Sequence, residues 1–227
     1  MHFSKHFSNW FRPSVMLAVV LVAQPVFAFQ SPLSDESVRE AYFLGQRHDG
    51  TFERLLEKST QRLPPPKSGP YISSVTVLTP FLQVAQLSSD QNGNYSAQQA
   101  ALDHRGEGEE TLRIVVEIML FDSDSQLVAP GVNSSRPGSL SAVSPWAFDF
   151  FTNVQVQIYN GEQQLKPSSH SGHPNYSCGD HGPCLLTGAT LEYDFPASAF
   201  SADSATVQVD PPKGDAVGAE FDLSRLR

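Results

Sequence analysis

The sequence predicts an α+β protein: an antiparallel β-sandwich of about seven strands, with an N-terminal helical hairpin and one further short helix. Apolar and polar residues alternate along most of the chain beyond residue 71, which is typical of strands with one buried face. Helical spacing is confined to residues 34–63 and 96–105. Strands with one dry and one wet face form antiparallel sheets, so we expect an Ig-like sandwich or a partly open barrel.

The helices are predicted from their caps and stops. Ser34 precedes an acidic first turn, and Thr51 has the same position before the second helix. The prolines at 64–66 end that helix at Leu63, because proline has no N–H to donate. Ser96 opens a capping box for the third helix.

The strands are predicted from period-two alternation, and Asn160-Gly161 adds the preferred pair of a two-residue hairpin. The clearest strand covers residues 111–120, where both faces contain apolar residues. The predicted strands are 72–78, 81–87, 111–120, 154–159, 189–195, 207–209 and 217–223.

The N-terminus has the layout of a secretory signal peptide. Lys5 and Arg12 precede the uncharged, mostly apolar stretch 14–23, and Val26-Phe27-Ala28 offers small residues to a peptidase. The stretch is too short to span a bilayer, which takes about 20 apolar residues. We therefore expect an exported protein, periplasmic or extracellular. Its expected organisation is a signal peptide at 1–28, the hairpin and proline spacer at 29–66, and the sandwich at 67–227.

The charge of the chain excludes some partners. Without Lys5 and Arg12 the chain has 13 basic and 24 acidic side chains, a formal charge of −11. Such a charge repels phosphate backbones and anionic lipid, which argues against nucleic-acid and membrane-surface binding. No second apolar run is long enough to cross a membrane.

Cys178 and Cys184 are predicted to form a disulfide. They are an even, closely spaced pair in a chain with an export signal. Glycines and a proline between them allow a tight turn.

The segment around these cysteines is also a candidate metal or catalytic loop. His170, His173, Asp180 and His181 lie close together in the sequence, and imidazole and carboxylate groups are zinc ligands. The spacing matches no common zinc framework, so solvated histidines beside the disulfide are the favoured interpretation. The alternative is a small secreted hydrolase or a metal-binding protein that uses this loop.

Trp146 is the only tryptophan beyond the signal peptide, and it precedes three phenylalanines. Trp146 lies an even number of residues before the apolar residues of the strand at 154–159, which places it on the core face of that strand. A bend near residues 152–153 would instead leave it at the edge of the sandwich, where an exposed aromatic ring can stack on a sugar. This is the basis of an alternative interpretation as a carbohydrate-binding module.

Acidic side chains form the last candidate group. Glu192 and Asp194 share one strand face, and Glu220 and Asp222 share another. Four carboxylates would lie together if these strands paired, although a solvated sheet face is the simpler interpretation.

No motif identifies an enzyme, since the chain lacks a Gly-x-Ser-x-Gly elbow, a zinc-protease helix and a phosphate-binding loop. The leading hypothesis is an exported, non-catalytic protein for binding, scaffolding or surface assembly. It is expected to need no cofactor and to bind a protein or glycan partner of unknown identity.

Overall fold

The computed structural model describes residues 29–67, 69–91, 95–121, 127–128, 150–178, 184–211 and 215–226, with only the backbone at 127–128. The predicted signal peptide lies outside these residues. Within them the chain forms four α-helices and two antiparallel sheets, which confirms the predicted α+β sandwich.

Two of the predicted helices begin where their capping residues indicate. The Ser34 hydroxyl accepts a hydrogen bond from the Ser37 N–H, and the Ser96 hydroxyl accepts one from the Gln99 N–H. The second helix has Gly50, in the left-handed region, as its N-cap, so the prediction of Thr51 as the cap is wrong: Thr51 is the first residue of the helix. The helices are α1 (Asp35–Gln46), α2 (Thr51–Lys58), α3 (Pro80–Asp90) and α4 (Ala97–Gly106).

Two further predictions around these helices are wrong. Residues 81–87, predicted as a strand, belong to α3. The Thr79 hydroxyl caps this helix at the Leu82 N–H, and Pro80 occupies its first turn, where no N–H is needed. The second helix ends at Lys58 rather than Leu63, because residues 60–62 pair as a short strand with the next segment.

Within the described ranges, the first sheet has six strands. They are β1 (Thr60–Arg62), β2 (Tyr71–Leu78), β3 (Thr111–Met119), β4 (Leu127–Val128), β7 (Ser169–Cys178) and β8 (Cys184–Pro196). Strands β1, β2, β3 and β8 follow one another across the sheet. Strand β7 pairs with β8 along its whole length, on the side opposite β3 and the short β4.

The part of the second sheet that the structure describes has four strands in the order β10-β9-β5-β6. They are β5 (Gln155–Asn160), β6 (Gln163–Leu165), β9 (Ser204–Asp210) and β10 (Val217–Asp222). The predicted hairpin at Asn160-Gly161 joins β5 to β6. Gly161 takes a positive φ there, and the buried Asn160 amide bonds to main-chain groups at 201, 202 and 204.

The apolar residues form two clusters on either side of the first sheet. The larger cluster fills the space between the sheets, with Phe195, Ile114 and Phe200 almost completely buried. The smaller one packs α1, α2, α3 and α4 on the outer face of the first sheet through Phe81 and Leu78. This arrangement explains why β3 has apolar residues on both faces.

The strand β7 was not predicted, because residues 169–178 have no apolar alternation. The two strands that carry the four carboxylates do not pair, because Glu192 and Asp194 lie on β8 in the first sheet and Glu220 and Asp222 lie on β10 in the second. None of the helices in the described ranges is long and apolar enough to cross a membrane.

Candidate functional site

A groove of about 830 Å³ opens along one side of the sandwich, between β7 of the first sheet and β5 and β6 of the second. We call it the edge groove. Its floor is apolar and its rims are polar. The residues that line it are Phe151, Thr152, Val154, Gln155, Val156, Gln157, Gln164, Pro167, His170, Ser171, Gly172, Leu191 and Tyr193.

Two aromatic rings are stacked in the edge groove. The imidazole of His170 lies over the phenol ring of Tyr193, with centroids 5.8 Å apart and planes 13° apart. The two residues are cross-strand partners on β7 and β8. Tyr193 packs on the sandwich core, and burial raises the pKa of its phenol. His170 is exposed, so the stack offers a flat aromatic face to solvent.

Gly172 brings the β7 backbone close to the floor of the groove. A Cβ atom at this position would lie 2.7 Å from Cδ2 of Leu191 and 2.9 Å from Cε2 of Phe151. Cβ atoms in proteins essentially never approach other heavy atoms this closely, so a side chain at Gly172 would displace the floor residues. Glycine therefore lets the strand lie directly on Phe151.

Both rims of the edge groove are strand edges. Among the described strands, β7 pairs with β8 alone. Strand β6 covers only residues 158–160 of β5, so residues 155–157 have a described neighbour on the β9 side only. Open strand edges present unpaired N–H and C=O groups.

The described lining of the groove is uncharged, although the chain is strongly acidic. No Asp, Glu, Lys or Arg is among the described residues that line it. Three glutamines (Gln155, Gln157 and Gln164) supply amide donors and acceptors instead. The lining therefore favours a ligand that combines neutral polar groups with apolar surface.

The structure separates the two histidines of the candidate metal loop that lie on β7. They are three residues apart on a strand, so their side chains point to opposite faces of the sheet. His170 lies in the edge groove, whereas His173 lines a second groove on the outer face, beside α3. Asp180 and His181 lie outside the described residues. Among the described side chains, no group of three potential metal ligands occurs.

The predicted disulfide between Cys178 and Cys184 is present. It joins the last residue of β7 to the first residue of β8, which are cross-strand partners. The bond therefore ties the edge strand to its only described neighbour at one end.

The second groove, of about 380 Å³, is polar but internally paired. The buried Thr190 hydroxyl donates to the Glu117 carboxylate at 3.0 Å, and the Asn175 amide donates to both. Arg113 binds Asp194 through two nitrogens, and this hydrogen bonding raises the pKa of the guanidinium. The hydrogen-bonding groups of these residues are used by one another, as in a network that stabilises the fold.

A third group surrounds Glu110, whose carboxylate is almost enclosed. It accepts hydrogen bonds from the Leu33 N–H at 2.6 Å, the Ser31 hydroxyl at 2.7 Å and His104 Nε2 at 2.9 Å. The side chains of His104 and Glu110 are 12% and 11% exposed. The carboxylate therefore joins the α4–β3 connection to the segment before α1.

The aromatic run around Trp146 is described only in part. Trp146 itself lies outside the described residues, so its role in glycan binding stays a prediction. A 3₁₀ turn at Phe150–Asn153 breaks the chain before β5, at the expected bend. Phe150 and Phe151 are both buried, and Phe151 also lines the edge groove.

Sequence reasoning missed most of the edge groove. The alternation along residues 189–195 predicts that Tyr193 lies on the core face of β8, and it does, but its place in the groove depends on β7, the strand beside β8. Gln155 and Gln157 alternate with apolar residues, a pattern that indicates ordinary solvent-facing positions. Only the short length of β6, set by residues 163–165, leaves them on a rim. The sequence signal available was the Asn160-Gly161 turn followed by a very short polar segment.

No protein-family model and no curated protein matches this chain. Among solved structures, it is similar to the N-terminal periplasmic domain of ScsB from Proteus mirabilis, with a TM-score of 0.30 and 10% sequence identity. The match covers 73% of this chain and 51% of that one, so the chain spans about half the length of that structure. A similarity this low assigns neither fold nor function.

Proposed function

We propose that this chain is an exported, non-catalytic binding protein and that its ligand lies in the edge groove. The signal-like segment at 1–28 and the Cys178–Cys184 disulfide support export, because disulfides persist in oxidising compartments. Both features suit the periplasm and the extracellular space equally.

The observation that carries the binding proposal is the uncharged, aromatic-floored groove itself. Clefts that combine an apolar floor with a few polar groups are the usual form of ligand sites. The groove lies between two strand edges, and the helices pack on the other face of the first sheet, so they do not cover it.

The groups that face the groove favour binding over catalysis. Its described titratable side chains are His170 and Tyr193, and they are stacked on each other. General acid–base chemistry needs a donor and an acceptor placed around the reacting atoms, and glycoside hydrolysis commonly needs two carboxylates. The carboxylates of the first sheet, Glu117, Glu192 and Asp194, lie on its opposite face.

The test uses two histidines of one strand as a matched pair. Isotope-labelled protein with its disulfide intact is titrated with uncharged peptides and neutral oligosaccharides while the amide resonances are followed. We expect shifts at Gln155, Gln157 and His170 for at least one probe. The variant H170A should bind that probe about tenfold more weakly than the wild type. The variant H173A should bind it as the wild type does, because His173 lies on the other face of the sheet.

Two results would refute the proposal. One is that every probe leaves the groove resonances unmoved. The other is that H170A and H173A weaken binding equally, since a ligand in the edge groove contacts only one of these side chains.

A further inference from the structure

We infer that the ligand of the edge groove is an extended, uncharged peptide segment that pairs with β7 as an additional strand of the first sheet. The inference rests on the proposed function, because it assigns a ligand class to the same groove. Strand addition of this kind uses main-chain hydrogen bonds for affinity and side-chain pockets for specificity.

Two hydrogen bonds on the other side of β8 determine which N–H and C=O groups of β7 point away from the sheet. The Ala197 N–H donates to the Glu110 carbonyl at 2.8 Å, and the Leu120 N–H donates to the Thr187 carbonyl at 2.9 Å. Both bonds fit the β3–β8 register, so the odd-numbered residues of β8 bond to β3. The even-numbered residues of β8 therefore face β7.

The register of β7 carries this alternation to the open edge. Thr190 and Glu192 of β8 lie opposite His173 and Ser171. Up to Asn175, after which the register shifts, the odd-numbered residues of β7 thus bond to β8. His170, Gly172 and Pro174 direct their main-chain groups away from the sheet. Pro174 agrees with this assignment, because a residue without an N–H is tolerated where the N–H would face outward.

The outward groups form a short ladder. His170 and Gly172 each present an N–H and a C=O, and Pro174 presents a C=O. An incoming strand can exchange bonds with both N–H groups while it runs along β7. Its side chains on the groove side would lie over Gly172 and against the His170–Tyr193 stack.

The charge of the edge indicates which peptides it accepts. Natural sheets commonly protect an open edge with lysine or other charged side chains. Residues 169–178 contain no charged side chain, and among the described residues none lines the groove beside them. An incoming Asp or Glu would lose hydration in the groove and find no cation there, so the expected segment is neutral with alternating apolar residues.

The experiment selects a binder and then removes single main-chain donors. A displayed library of uncharged nine-residue peptides is selected on the full chain with its disulfide intact. The best peptide is measured against the wild type, H170A and H170P. The alanine variant removes the imidazole and keeps the N–H, whereas the proline variant also removes the outward N–H. We expect H170P to bind about tenfold more weakly than H170A.

Two measurements keep the outcome independent of the stability of H170P. In the wild type, peptide binding should slow amide exchange at His170 and Gly172, while Ser171 and His173 are protected with and without peptide. A set of peptides, each N-methylated at one residue, should lose binding at every second position and keep it at the positions between. Successive N–H groups of a strand point in opposite directions, so only every second one faces β7.

Failure of the inference is distinguishable from failure of the proposed function. If no peptide is selected, if H170P equals H170A, or if N-methylation shows no alternation, strand addition is refuted. A neutral oligosaccharide that binds the wild type and loses affinity in H170A would uphold the groove as the ligand site and still refute the peptide.

Discussion

Replacing Glu110 with alanine is expected to lower the free energy of unfolding by about 3 kcal/mol. Its carboxylate accepts hydrogen bonds from Leu33, Ser31 and His104, which belong to two separate parts of the chain. Removing it leaves the Leu33 N–H and the Ser31 hydroxyl without an acceptor in a site that is only 11% exposed at the glutamate.

The magnitude follows from the number and kind of these bonds. A hydrogen bond to a charged acceptor contributes about 1.5–3 kcal/mol, and bonds that share one acceptor are not additive. Three donors on one carboxylate therefore give about 3 kcal/mol rather than the sum of three full bonds. Glu110→Gln, which keeps one carbonyl oxygen, should fall about midway.

The assay is equilibrium urea unfolding followed by far-UV circular dichroism. With a slope of about 2–3 kcal/mol per molar urea for a chain of this size, the midpoint should fall by about 1 M. Glu109→Ala is the matched control, because that residue is exposed and accepts one hydrogen bond from Ser198; its change should stay within about 0.5 kcal/mol. If the free energies of unfolding of Glu110→Ala and Glu109→Ala differ by less than about 1 kcal/mol, the Glu110 carboxylate does not hold the two chain segments together.

Two further predictions concern stability. Replacing both Cys178 and Cys184 with alanine should lower the free energy of unfolding by about 2 kcal/mol, because the disulfide closes a loop with a sequence separation of 6. The melting temperature in calorimetry should then fall by about 4–8 °C, and an unchanged melting temperature would contradict this prediction. Burial, with the charge of Asp103, raises the pKa of Tyr95 to about 12, above the value of 10 of an unperturbed tyrosine. The unfolded state then loses this proton first, so the free energy of unfolding should fall between pH 10 and 12, and Tyr95→Phe should show a smaller fall in urea titrations across that range; equal slopes would refute this.

Elements that pack on two sides were predictable from the sequence. The strand at 111–119 contacts both apolar clusters, but it buries every second side chain between the sheets and has Arg113 and Glu117 beside Val115 on its other face, so its alternation is plain. The strand at 169–178 has a neighbour on one side and mostly exposed side chains, so burial leaves no periodic trace in its sequence. At 80–90 the apolar residues suit a strand or a helix equally, and the Thr79-Pro80 start signal was the feature that separated them.

The candidate site was less predictable than the fold because it depends on neighbours rather than on motifs. His170 was singled out with His173 for their closeness in sequence, yet strand geometry places them on opposite faces. Its actual partner, Tyr193, is distant in sequence and is brought beside it by the β7–β8 register. A site made from strand edges has no fixed spacing of residues, so a sequence motif could not have indicated it.

The disulfide acquires a more specific role once β7 is recognised as an edge. At one end, Cys178 is bonded covalently to Cys184 of β8. At the other end, Ser168 donates its N–H and its hydroxyl to the Asp194 carbonyl, and the Ser169 hydroxyl donates to the Asp194 carboxylate. An edge strand with few buried side chains has little other support and tends to fray. Fixing both ends keeps the outward main-chain groups of His170, Gly172 and Pro174 beside β8. A disulfide at this position therefore stabilises the open edge more than the core.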